Sequence, residues 1–268
     1  MIRSALALLL LSTSAGRVSA QHVHDHPMPA APATTPKTPA SLPPATPAVK
    51  TAANDWKKEA MARHMAYSST RPLTSADSVR AARVIHELRQ AVAKYQDVRL
   101  AEADGYKMFA PQLKNQPQYH FTRNWNAARN QFGFDPARPT SLLYKRNERG
   151  ELVLTGAMYT ASKRTSETEL DKRVPLSVAR WHRHVNWCVP KRSEKERWFE
   201  LKNARPVFGP LGVSTEEECK AANGRFIQQA FGWMVHANLF AGNDLRSTWH
   251  DDHMEHDHDA MLGTPKSP

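Results

Sequence analysis

The segment Trp181-His182-Arg183-His184-Val185-Asn186-Trp187-Cys188 constrains the fold of this chain more than any other. Its residues alternate in kind, and along a β-strand alternate side chains share a face. A strand here puts His182, His184, Asn186 and Cys188 on one side, with Trp181, Arg183, Val185 and Trp187 on the other. Two imidazoles two residues apart on a rigid strand hold metal-ligating nitrogens in a fixed relation. The segment therefore predicts a sheet and a candidate metal site on one of its faces.

A second segment repeats the pattern. Trp233-Met234-Val235-His236-Ala237-Asn238 shares Trp-x-x-His-x-Asn with the first. If the two strands pair, His182, His184 and His236 converge, and three histidines with an open fourth position suit a catalytic zinc or a copper ion. His120, in the strand-like run Gln118-Tyr119-His120-Phe121-Thr122, is a candidate fourth ligand or general base. Asn186, Asn238 and Tyr119 then suit positions behind the ligands or against a substrate. The competing reading is that aromatic-flanked histidines are core residues satisfied by backbone hydrogen bonds. His64 and His86 read as surface or boundary residues.

The two cysteines, Cys188 and Cys219, read best as a disulfide in an oxidising compartment, although Cys188 also stands among the candidate ligands. The compartment is argued independently. Residues 1–20 combine Arg3, an apolar run from Ala5 to Leu11 and the small-residue sequence Val18-Ser19-Ala20, the pattern of a secretory signal cut near Ala20. The apolar run is too short for a membrane span, so no integral membrane protein is expected. A periplasmic or secreted location follows.

Residues 21–53 are dominated by Pro, Ala and Thr and read as a disordered linker with a His-rich start. Residues 54–248 read as a single globular domain, and residues 249–268 as an acidic, His-rich tail. Of the thirteen histidines, His22, His24, His26, His250, His253, His256 and His258 fall in the two tails. Flexible His/Asp/Met tracts of this kind bind Cu²⁺, Zn²⁺ or Ni²⁺, and Met28, Met254 and Met261 add thioethers suited to Cu⁺. The alternative is that both tails only solubilise.

Within the domain, Asn54–Tyr67 reads as a short helix. From Ala76 the apolar residues Val79, Ala82, Ile85, Leu88, Val92 and Tyr95 recur at three- and four-residue spacings, predicting a long helix that stops at Asp104-Gly105. Residues 141–146 and 151–159 form a predicted hairpin across Asn147-Glu148-Arg149-Gly150. Residues 163–173 read as loop, 193–202 and 214–224 as short helices, and 225–240 as a last strand. The predicted class is α+β: one long N-terminal helix packed on a mixed or antiparallel sheet, with short helices and long ordered loops.

The formal charge of +11 lies in the domain rather than in its acidic tail. A basic body suits an acidic envelope surface as partner. Export and the absence of any recognition motif argue against nucleic acid, and no Gly-rich loop marks a nucleotide cofactor. Several segments together resemble a family of secreted bacterial proteins of unassigned activity. These are Ala103-Asp104-Gly105-Tyr106, Tyr119-His120-Phe121, Arg138-Pro139 with Leu142-Leu143-Tyr144, Trp181 to Cys188, and Phe231-Gly232-Trp233-Met234-Val235-His236. The resemblance spans about residues 101–250. It implies one domain and no particular chemistry.

The expected function is an exported copper- or zinc-binding protein with a His site in its domain and metal-collecting tails. The alternatives are a metal-dependent hydrolase or oxidoreductase using the same cluster, and an envelope interaction domain without metal.

Overall fold

The computed structural model describes residues 49–249 except 114, with residues 49–55 described by their backbone alone. The signal segment, most of the linker and all seven tail histidines lie outside the described residues. In chain order the elements are α1 (Val49–His64), β1 (Met65–Tyr67), α2 (Ser75–Val92), α3 (Val98–Ala103), β2 (Lys107–Met108), β3 (Tyr119–Thr122) and α4 (Asn124–Arg129). They continue with β4 (Ser141–Arg146), β5 (Leu152–Ala161), α5 (Glu167–Arg173), β6 (His182–Val189), β7 (Leu201–Lys202) and β8 (Arg205–Pro206). The last are α6 (Glu216–Ala221), β9 (Arg225–Gln229), β10 (Trp233–Asn238) and α7 (Leu245–Thr248).

The class is α+β, as the sequence predicts. Eight strands form one sheet in the order β1-β6-β10-β5-β4-β3-β2, with β9 pairing on β6, and the registered pairs are antiparallel. Residues opposite one another in register share a face. One face carries Phe121, Leu142, Ala157, Tyr159, Val235 and Ala237, which pack with Ala81, Val84, Ile85, Leu88 and Val92 of α2 in the main core. Burial drives this packing at roughly 25 cal/mol per Å² of apolar surface.

Helix α2 starts where a capping box fixes it. Thr74 accepts from the Asp77 amide, and the Asp77 carboxylate accepts from the Thr74 amide. The predicted long helix stops at Val92 rather than running past Leu100. Residues Ala93–Gln96 tighten into a 3₁₀ turn, and the Tyr144 hydroxyl donates to the Tyr95 carbonyl at 2.6 Å. Asp97, in extended conformation, then caps the separate α3. Gly105, at φ +89°, ends that helix in the left-handed region a glycine occupies without cost.

Other local expectations change for similar reasons. Met65–Tyr67, read as the end of a helix, is an edge strand paired with Tyr67↔His182 and Met65↔His184. The run 163–173 contains α5, capped by Ser166, acidic in its first turn and basic in its last, with Leu170 as its buried residue. The stretch 193–202, read as a short helix, holds only a 3₁₀ turn, Lys195–Phe199, with no side-chain cap. The run 225–240 is two strands, because Ala230–Gly232 leaves the ladder between β9 and β10. Trp249, assigned by composition to the tail, is 2% exposed and belongs to the core.

Cys188 and Cys219 form a disulfide, within a small cluster that includes Val207 and Phe208. Among the described residues, no helix is long and apolar enough to cross a membrane.

Candidate functional site

The sheet face opposite α2 is of a different kind. Following the register across it gives His120, Thr122, Ser141, Leu143, Met158, Thr160, Met234, His236, His182, His184 and Met65. This face is the floor of a cleft of about 1180 Å³. Its walls come from the segment 109–118 and from the stretch between Lys195 and Leu211. The first wall is held by Gln116, whose side-chain amide donates to the Ala110 and Leu113 carbonyls at 3.1 Å each.

The strands β6 and β10 pair at Met234↔His182, which brings the two Trp-x-x-His-x-Asn segments side by side. The imidazoles gather accordingly. Ring centres lie 5.1 Å apart for His182 and His236, 5.7 Å for His182 and His184, and 5.9 Å for His120 and His236. His182 is fully buried and His236 is 8% exposed. His120, His184 and His236 line the cleft, with His182 beneath them in contact with two of the three.

Two imidazoles that share one ion, each nitrogen about 2.0–2.1 Å from it, have ring centres roughly 5–6 Å apart. The observed separations fall in that range. The rings stand at interplanar angles of 56° to 84°. Among the described residues, no three His, Cys, Asp or Glu side chains are grouped as an ion-holding set. The spacing of neighbouring rings is thus compatible with an ion, while the side chains as they stand form no such set.

Several sequence-predicted residues sit elsewhere. Asn186 has φ +57°, and this left-handed residue ends the simple alternation of β6. Past it the faces exchange, so Trp187 comes to the cleft side, where it meets His184 at a tilt, 5.3 Å between ring centres, and Phe231 edge-on at 5.5 Å. Cys188 turns away into the disulfide cluster and is no ligand. The Asn186 side chain donates to the Arg63 carbonyl at 3.1 Å and anchors α1 rather than facing the cleft. Tyr119 belongs to the opposite, core face, where its hydroxyl accepts from Arg146 Nε at 3.1 Å. Asn238 does line the cleft.

His64, read as a surface or boundary residue, is fully buried. Its Nε2 donates to the Gly212 carbonyl at 2.9 Å, the satisfied arrangement of a core histidine. His86 is exposed on α2, as read.

The cleft also contains residues that pattern reading did not single out. Met61, Met65, Met158 and Met234 line it, and Met158 and Met234 cluster with Leu143. Phe109, Trp198, Phe199, Phe231 and Phe240 form a largely exposed aromatic wall. The Trp187 indole N–H is buried with no hydrogen-bond partner among the described residues. Glu200 is the one carboxylate among the described lining residues, and it accepts from Arg197 Nε at 2.7 Å. A second groove of about 1230 Å³, lined by Trp56, Arg63, Arg197 and Lys202 among others, contains no histidine.

No protein-family profile, curated protein or solved structure matches this chain.

Proposed function

We propose that this chain is an exported metal-binding protein whose ion seats among His120, His182, His184 and His236 on the cleft floor. The observation that carries the reading is the succession of imidazoles from β3, β10 and β6, His120 to His236 to His182 to His184, with neighbouring ring centres 5.9, 5.1 and 5.7 Å apart. Burying imidazoles side by side has no packing advantage over apolar residues of similar size, whereas a shared cation uses all of them. The Cys188–Cys219 disulfide accords with an oxidising compartment and hence with export. In this reading the tail histidines collect copper or zinc ions and the cleft retains one.

The test separates tails from cleft. In the full chain with the seven tail histidines changed to Gln, dialysis after loading with copper or zinc is expected to leave about one ion per chain. Adding His182→Asn and His236→Asn is expected to release it while the near-ultraviolet circular dichroism stays native. If the tail-substituted chain retains no ion, the cleft reading is wrong.

A second reading, a metal-dependent enzyme using the same cluster, is favoured by the size and walls of the cleft. About 1180 Å³ exceeds what an ion needs and suits a small molecule. The aromatic wall offers stacking surface, and the buried Trp187 N–H offers a donor to a substrate oxygen. Turnover of hydrolase or oxidase substrates that is lost in the His182→Asn, His236→Asn chain would favour enzyme over carrier.

A further inference from the structure

We propose that the ion of this cleft is monovalent copper, bound by imidazole nitrogen together with the thioether sulfurs of Met158 and Met234. The inference rests on the reading of the histidine cluster as a metal site and names its ion.

Three of the four histidines lie directly across the ladder from a methionine, His236 from Met158, His182 from Met234 and His184 from Met65, whereas His120 lies across from Leu143. Directly opposed residues in an antiparallel pair have Cβ atoms about 4.5–5.5 Å apart, within reach of a long thioether side chain. Met158 and Met234 are each 7% exposed, touch one another's cluster and line the same cleft. A core that needed only apolar filling has no reason to place methionine opposite histidine three times. Leu or Ile would pack there with better-defined rotamers.

Both cysteines are in the disulfide, and Glu200, the one carboxylate among the described lining residues, is already engaged by Arg197. The donors on the cleft floor are therefore neutral. A divalent ion held by neutral ligands keeps its full +2 in an apolar surrounding, and the cost of burying charge grows steeply with its magnitude. A cuprous ion brings only +1. Thioether sulfur, a soft donor, selects Cu⁺ over Zn²⁺, which structural and catalytic sites bind through thiolate, imidazole and carboxylate.

The experiment uses the full chain with the seven tail histidines changed to Gln and Met28, Met254 and Met261 changed to Leu. It is titrated anaerobically with Cu⁺ in competition with bicinchoninate, and separately with Zn²⁺. The Cu⁺ form is then examined by X-ray absorption. The expected result is one Cu⁺ per chain with sulfur in its coordination shell. Adding Met158→Leu and Met234→Leu, which nearly conserve volume, should remove that sulfur signal. The same pair should weaken Cu⁺ by about tenfold or more and leave Zn²⁺ unchanged. Should the Leu variant fail to fold, the sulfur signal of the parent decides alone.

Zn²⁺ binding as tight as Cu⁺, or a Cu⁺ shell of nitrogen only, overturns the cuprous proposal and leaves the metal-site reading standing. A sulfur signal that survives in the Leu variant overturns the assignment to Met158 and Met234. Failure to bind either ion overturns both the proposal and the reading beneath it.

Discussion

The two faces of one sheet, built from alternate residues of the same strands, are made to different specifications. On the α2 face Phe121, Leu142, Ala157 and Tyr159 are fully buried. Two buried phenols there are tied to backbone: the Tyr159 hydroxyl donates to the Pro136 carbonyl and the Tyr144 hydroxyl to the Tyr95 carbonyl. Burial pushes both phenol pKa values up, so these hydroxyls remain neutral donors. On the other face the same strands present His120, Thr122, Met158, Met234 and His236 to a cleft roofed by irregular segments. A regular helix closes one face, and loops border the other. The difference separates the source of stability from the proposed metal site, within strands that cannot move independently.

The comparison makes its strongest demand on the core face. Phe121→Ala is expected to cost about 3–5 kcal/mol in urea unfolding, the range for emptying a fully buried aromatic site. Equal losses from Phe121→Ala and from a cleft-face His→Gln change would break the distinction.

Next comes the clamp at the start of the covering helix. Asp77 is 4% exposed, accepts from both Arg71 guanidinium nitrogens and from Ser177, and closes the capping box. Arg71 also binds Asp171 on α5. Foremost through the Arg71 hydrogen bonds, the Asp77 carboxyl is held well below the usual carboxylate range. Its stabilisation is therefore complete above the unfolded value, about pH 3.9, and is lost as pH falls through the lower folded value. Asp77→Asn is expected to cost about 2–3 kcal/mol at neutral pH. It should also flatten the acid limb of a stability-against-pH curve; an unchanged limb would remove Asp77 from the clamp.

The smallest effect on stability belongs to the cleft face. His184→Gln is expected to shift the unfolding free energy of the metal-free chain by less than about 1 kcal/mol. It should also lower the affinity of the cleft for its ion. A large stability loss without any change in metal retention would make His184 a packing residue and return the cluster to the core.

Parts of this architecture are written in local pattern and parts are not. The α2 stripe, the β4–β5 hairpin and the Cys188–Cys219 pair follow from spacing, turn residues and compartment. The approach of His182 to His236 follows from the repeated Trp-x-x-His-x-Asn. The methionine array does not, because Met158 faces His236 only through the β5–β10 register, which no local spacing encodes. The edge strand Met65–Tyr67 is three residues long and owes its conformation to pairing with β6, which overrides its continuity with the preceding helix. Helix α5 went unread because one buried residue, Leu170, leaves no periodic stripe. Alternation placed Asn186 beside the histidines. Its left-handed backbone, which Asn tolerates better than most residues, breaks the rule that assigned it there.

That single residue sets the phase of the strand. Before Asn186 even-numbered side chains face the cleft, and after it Trp187, an odd one, does. A Gly at this position would keep the shift. A β-branched residue would resist it. One backbone dihedral thus decides whether a continuous strand serves one purpose or two: the histidine half and the cystine half are joined in sequence but out of step by one residue.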